Sequence, residues 1–203
     1  MGRMYKLNDV KIIDNSNFHF ENKILYDKNY TKIIAILPTG YYRDLTIKEG
    51  IKEIQNYAFY KCKSLNSTIF PSTLTKIGIS SFYSSGLTSI LINENIETID
   101  RYAFCDCYQL KEVNLFEVKI KTLEYGIFSN SKLETIYLPK KLISMKQVVF
   151  ENNPLKNIFC YSNNPPDFYD FSSSFATFKN VDIKKCIVHA PKGKFNIYKK
   201  AKG

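Results

Sequence analysis

Five phenylalanines set the beat of this chain. Phe59, Phe82, Phe104, Phe128 and Phe150 follow one another at steps of 23, 22, 24 and 22 residues. A fixed period in this range is the signature of a solenoid, in which each copy is one supersecondary unit stacked on the next. Around each phenylalanine the same sentence recurs between Ile51 and Tyr161. It reads Ile51, Ile54, Ala58-Phe59, Cys62, Leu65, Thr68, Phe70-Pro71 and Leu74 in the first copy. It reads Ile96, Ile99, Ala103-Phe104, Cys107, Leu110, Val113 and Leu115 in the third. One copy buries only about six core side chains, too few to offset the entropy of ordering it. Stacking gives the copies a common core and shared backbone hydrogen bonds, so they fold as one array.

The pattern Ala-Phe-x-x-Cys-x-x-Leu-x-x-Ile-x-Ile-Pro resembles the BspA-type leucine-rich repeat, over about 45–191. The resemblance implies an α/β solenoid: a short right-handed leucine-rich-repeat array with a parallel β-sheet on one face, turns and short helices on the other. It also implies adhesion, surface display or host interaction, in secreted or surface proteins of microbes and protists. A fold does not define a function, so the site has to be argued from residues.

Both ends of an array need covers, because a bare terminal coil exposes core and strand edge. Three stretches of one continuous domain follow. Residues 1–44 hold a weakly patterned start and a hairpin cap, with Ile24-Leu25-Tyr26 and Thr31 to Leu37 flanking the turn Asp27-Lys28-Asn29-Tyr30. Residues 45–161 hold about five repeats of period 22–24. Residues 162–203 hold an irregular repeat and a strand-helix cap, with an insertion about seven or eight residues beyond one period. Within it Phe171, Phe175 and Phe178 stand at i, i+4 and i+7, the spacing of a short amphipathic helix. The ending Tyr198-Lys199-Lys200-Ala201 also resembles the family's terminal helix.

No apolar run approaches the length of a membrane span. No N-terminal stretch joins a basic start, an apolar core and a small-residue cleavage site, the signs of a secretion signal. The net charge is +10, from 29 basic and 19 acidic residues. Only Arg3, Arg43 and Arg101 are arginines, and bidentate reading of phosphates or bases favours arginine. The balance therefore fits compositional bias better than nucleic-acid binding. The five cysteines are an odd number; Cys62 and Cys107 share one repeat slot and read as small buried hydrophobes. Cys105-x-Cys107 lacks the second pair and the nearby histidine of a metal site. No nucleophile–base set, phosphate loop or cofactor motif stands out, and the chain reads as non-enzymatic.

Function is then expected on the sheet. Alternate strand residues face away from the core, and one outward row reads Thr46, Ile69, Leu91, Asn114, Tyr137, Phe159 and His189. The neighbouring row includes Glu112. Contiguous exposed apolar and aromatic groups mark a contact surface. The expected partner is a protein, held by Ile69, Leu91, Glu112, Asn114, Tyr137, Phe159 and His189; a weak homodimer is the other occupant considered. The alternative is polyanion binding, to glycosaminoglycan or nucleic acid, by Lys184, Lys185, Lys192, Lys194, Lys199 and Lys200. A purely structural assembly module is the third reading.

Overall fold

A computed structural model describes residues 17–37, 41–169, 174 and 176–200. The weakly patterned start, Phe171, Phe175 and Ala201 lie outside them. The chain winds as a parallel β-solenoid. Each turn contributes a two-residue strand, an arm around the phenylalanine, and a three-residue strand. The three-residue strands are β4 (Asp44–Thr46), β6 (Ser67–Ile69), β8 (Ser89–Leu91), β10 (Glu112–Asn114), β12 (Thr135–Tyr137), β14 (Asn157–Phe159) and β15 (Ile187–His189). The two-residue strands are β5 (Glu53–Ile54), β7 (Lys76–Ile77), β9 (Thr98–Ile99), β11 (Thr122–Leu123) and β13 (Ser144–Met145).

The N-terminal cap has three strands where the sequence pattern indicated two. They are β1 (Phe18–Glu21), β2 (Ile24–Asp27) and β3 (Lys32–Ile36), paired antiparallel in order. Asn22 and Lys23, both at positive φ (52° and 64°), make the tight β1–β2 turn, as a two-residue hairpin connection requires. Asp27 closes the β2–β3 turn, its carboxylate accepting from the N–H groups of Thr31 (2.7 Å) and Lys32 (2.6 Å). Strand β3 then pairs parallel with β5 and hands the sheet on to the solenoid.

The arms are turns rather than short helices. Residues two before and two after each phenylalanine are left-handed: Tyr57 and Lys61, Ser80 and Ser84, Tyr102 and Asp106, Gly126 and Asn130, Val148 and Asn152. Two such residues fold the arm tightly around its ring. Asn, Asp and Gly adopt this conformation readily, whereas a β-branched Val148 at φ 49° is strained. At Gly126 a Cβ would also stand 2.6 Å from the Tyr102 ring. The enclosed rings of Phe59, Phe82, Phe104, Phe128 and Phe150 are fully buried and stack nearly parallel, at 4.8, 5.3, 5.9 and 6.2 Å between successive centroids.

Phe178 is the sixth ring of this column. It stacks on Phe150 at 5.3 Å and lies in a turn, not in an amphipathic helix. Asp167 bridges Ser144 at an ordinary step of 23 residues, so the last turn starts in register. The extra residues fall between Asp167 and Phe178, and at a 3-10 turn, Ile183–Lys185, before β15. One helix, α1 (Phe195–Lys200), follows.

The slot three residues after each phenylalanine holds a polar spine. Cys62, Ser85, Cys107, Ser131 and Asn153 are all buried there. The Cys107 thiol donates to the C=O of Phe82 (3.3 Å), the Ser131 hydroxyl to that of Phe104 (3.0 Å), and the Asn153 amide to that of Phe128 (2.6 Å). Cys107, expected as a plain hydrophobe, thus also serves as a donor, and with Ser131 and Asn153 it satisfies carbonyls that the arms leave inside the core.

Both sheets are interrupted mid-array. The three-residue strands form one sheet, β4-β6-β8, and another, β10-β12-β14-β15; the two-residue ladder breaks between β9 and β11. The β10–β11 connection, 115–121, is one residue longer than 70–75, 92–97 or 138–143. The extra residue parts β11 from β9. A cleft of about 330 Å³ opens there, lined by Glu97, Ile99, Lys119, Lys121, Thr122 and Glu124. The arms stay joined across it, through Tyr102 N–H to Tyr125 C=O and Phe104 N–H to Ile127 C=O.

Candidate functional site

The outward residues keep the expected register but not the expected continuity. Thr46, Ile69 and Leu91 are paired in one sheet. Asn114, Tyr137, Phe159 and His189 are paired in the other, beside Glu112. Because β8 and β10 are not hydrogen-bonded, the row is two patches. Ile69 and Leu91, 54% and 70% exposed, are aliphatic neighbours on β6 and β8.

The second patch is organised. The rings of Tyr137 and Phe159 stack 4.6 Å apart at 6°, and Phe159 and His189 stack 4.1 Å apart at 10°. Neighbouring strands lie about 4.8 Å apart, so rings in one outward slot meet face to face. Each shields its neighbour's face and turns its edge to solvent, which leaves all three half-buried. Asn157, one slot back on β14, holds His189 through Oδ1···Nε2 at 3.0 Å. Asn114 does not extend the stack: its Oδ1 accepts from the Phe116 N–H (2.9 Å) and closes the strand end.

Two aromatic residues beside this row escaped the strand-slot argument. Phe116 and Tyr161 meet at 4.2 Å, tilted by 54°. They occupy the slot just past the strand where Pro71 and Pro139 stand in other copies. That replacement of proline by an aromatic ring was the available sequence signal. The Lys140 ammonium sits 4.1 Å from the Phe116 ring centroid and pairs with Glu117 at 2.7 Å. Burial pushes the Tyr161 phenol up, with neighbouring Tyr137 adding to the shift.

The candidate polyanion residues are spread over three elements. Lys184 and Lys185 lie in the 3-10 turn, Lys192 and Lys194 between β15 and α1, and Lys199 and Lys200 in α1. Lys185 is paired with Asp182 at 2.9 Å. The cysteines face inward. Burial pushes the Cys107 thiol up to about 11 and that of Cys160 up to about 12, which holds both protonated at neutral pH. Among the described residues no group of three or more His, Cys, Asp or Glu could hold a metal ion. None of their helices is long and apolar enough to cross a membrane.

No curated protein matches by sequence. By fold the chain is similar to the pneumococcal vaccine antigen PcpA, with a TM-score of 0.72 and 22% identity over 88% of this chain and 48% of that one. It is similar to a leucine-rich repeat protein of T. pallidum, with a TM-score of 0.58 and 21% identity over 73% of this chain and 71% of that one. It is similar also to a leucine-rich cell surface protein of Faecalibacterium prausnitzii, with a TM-score of 0.59 and 18% identity over 94% of this chain and 44% of that one. The chain thus spans about half the length of the pneumococcal structure. At such identities the likeness speaks for the solenoid alone. The sequence profile of the BspA type leucine-rich repeat region matches in six copies over residues 39–157, more than half the chain. The chain therefore belongs to the BspA-type leucine-rich repeat family.

Proposed function

We propose that the chain is a non-enzymatic protein-recognition module that engages its partner through the second patch of the three-residue-strand sheet. The observation that carries this is the stack Tyr137–Phe159–His189 on β12, β14 and β15, flanked by Phe116 and Tyr161. Rigid aromatic groups held by a scaffold lose little entropy on binding, and such groups dominate interface energetics. Glu112 and Asn114 stand at the polar margin. Ile69 and Leu91 are a second, smaller contact on the other side of the sheet break. Adhesion or host recognition at a cell surface is the setting this reading favours, in keeping with the cell surface protein of F. prausnitzii that shares the fold.

The test is capture of partners by the wild-type chain and by a Tyr137→Ala/Phe159→Ala double variant, at about 0.15 M and about 0.5 M salt. A partner that survives high salt and is lost with the double variant supports the reading. A partner that ignores the double variant sinks it. One observation favours a second reading, polyanion binding: from Ile183 to Lys200 there are six lysines and no acidic residue. Counterion release then predicts heparin binding that falls steeply with salt and with Lys199→Glu/Lys200→Glu.

A further inference from the structure

The three-residue-strand sheet ends at β15, which pairs with β14 on one side only among the described residues. Register fixes which backbone groups are free. The Ile187 N–H donates to Lys156 C=O (2.8 Å), and the Cys160 N–H donates to His189 C=O (2.9 Å). In a parallel pair a residue turns both backbone groups to the same side, and its neighbours turn theirs to the other. Ile187 and His189 therefore face β14, and Val188 presents its N–H and C=O outward.

Val188 stands where Val113, Ile136 and Ile158 stand in earlier turns. Those three are buried, whereas Val188 is 52% exposed. Ile183 and Ile187 beside it are exposed as well. A cavity of about 200 Å³ opens at the same edge, among Ile158, Cys160, Phe178, Cys186, Val188 and Tyr198. An apolar cavity of about 150 Å³ is large enough to take benzene. Lys184 and Lys185 precede β15 in the chain and Lys192 and Lys194 follow it, so lysines stand at both ends of the strand, and Asp182 pairs with Lys185.

We propose that β15 is a docking edge for an extended segment of a partner protein, which adds as a further parallel strand, sets an apolar side chain into the cavity and carries carboxylates on its flanks. Strand addition satisfies the Val188 N–H and C=O. Apolar side chains on the two faces of the added strand meet Ile187 on the outer face and Val188 on the inner one, and flanking carboxylates meet the lysines on either side of β15. Two copies of this chain joined edge to edge at β15 would instead bring two lysine rims together. The proposal rests on the free edge of β15 rather than on the aromatic row to which its His189 belongs, and uses a different experiment.

The probe is a fluorescein-labelled peptide, Glu-Asp-Val-Ile-Val-Ile-Asp-Glu, titrated with the full chain and followed by anisotropy. Val188→Pro removes the outward N–H and no hydrogen bond of the β14–β15 ladder, an orientation in which edge strands accept proline. It is expected to weaken binding about tenfold or more. Two peptide analogues, N-methylated on alternate sets of amides, test the same point without altering the protein. One set faces β15 and its methylation abolishes binding; the other set faces solvent and its methylation is tolerated. A peptide with lysines replacing the acidic flanks is expected not to bind. The proposal is overturned by no binding at about 1 mM peptide, by equal binding of both methylated analogues, or by tight binding of the lysine-flanked peptide. Self-association in sedimentation velocity that Val188→Pro abolishes would assign the edge to a second copy and overturn it too.

Discussion

Single polar atoms inside the core decide how tightly the turns are held. Asn153 donates to Phe128 C=O at 2.6 Å and accepts from Leu133 N–H at 2.9 Å, both buried. Asn153→Ala leaves both groups without partners and is expected to cost about 3 kcal/mol in urea unfolding, since each buried unsatisfied group costs about 1–3 kcal/mol. Thr68 is the opposite case. It fills an inward slot on β6 and its buried hydroxyl has no partner among the described residues. Thr68→Val keeps the shape and is expected to raise stability by about 1 kcal/mol in the same assay. A destabilised Thr68→Val would show that the hydroxyl is satisfied in solution. These atoms were hard to read in the sequence. Cysteine, serine and asparagine share no hydropathy class, so the slot of Cys62, Ser85, Cys107, Ser131 and Asn153 shows no periodic signal. Their common property is a short polar reach, which only the geometry of the arms brings out.

Among the elements, the phenylalanine column does most to fix the stacking. Phe104 is fully buried and stacks on both Phe82 and Phe128. Phe104→Ala is expected to cost about 3–5 kcal/mol, the range for a buried phenylalanine. Tyr137→Ala, at a half-buried outward position, should cost far less in the same urea titration. Equal losses would mean that the outward stack, and not the core column, holds the turns together. The column was legible because one large ring recurs at a nearly constant step. Phe178 was not, because it follows Phe150 by 28 residues and shares a helix-like spacing with Phe171 and Phe175. Likewise Tyr137, Phe159 and His189 could be placed in one slot by counting. The break between β8 and β10 could not, since no residue pattern at Leu91 or Asn114 records whether two strands actually bond.

For the whole molecule, the β9–β11 opening interrupts the two-residue ladder one turn beyond the break between β8 and β10. In intact rungs, Glu97 and Asp100 donate to Thr75 and Ile77, and Ile143 and Lys146 donate to Lys121 and Leu123. The equivalent N–H groups of Lys121 and Glu124 have no carbonyl partner across the cleft. Hydrogen exchange is expected to be faster at Lys121 and Glu124 than at those four residues, because protection follows local hydrogen bonding. Uniform protection would mean that the sheet closes in solution.

The added residue in the β10–β11 connection also has a mechanical consequence. Where rungs are complete, a load along the stack is shared by two strand ladders and the arms. Between the turns of Phe82 and Phe104 the three-residue ladder is missing, and between those of Phe104 and Phe128 the two-residue ladder, so at both levels the arms bear more of it. Tethered at one end and tugged through a partner at the other, the solenoid would yield there first. The half bearing the aromatic stack would stay folded while the joint gave way, much as a fuse protects the circuit beyond it.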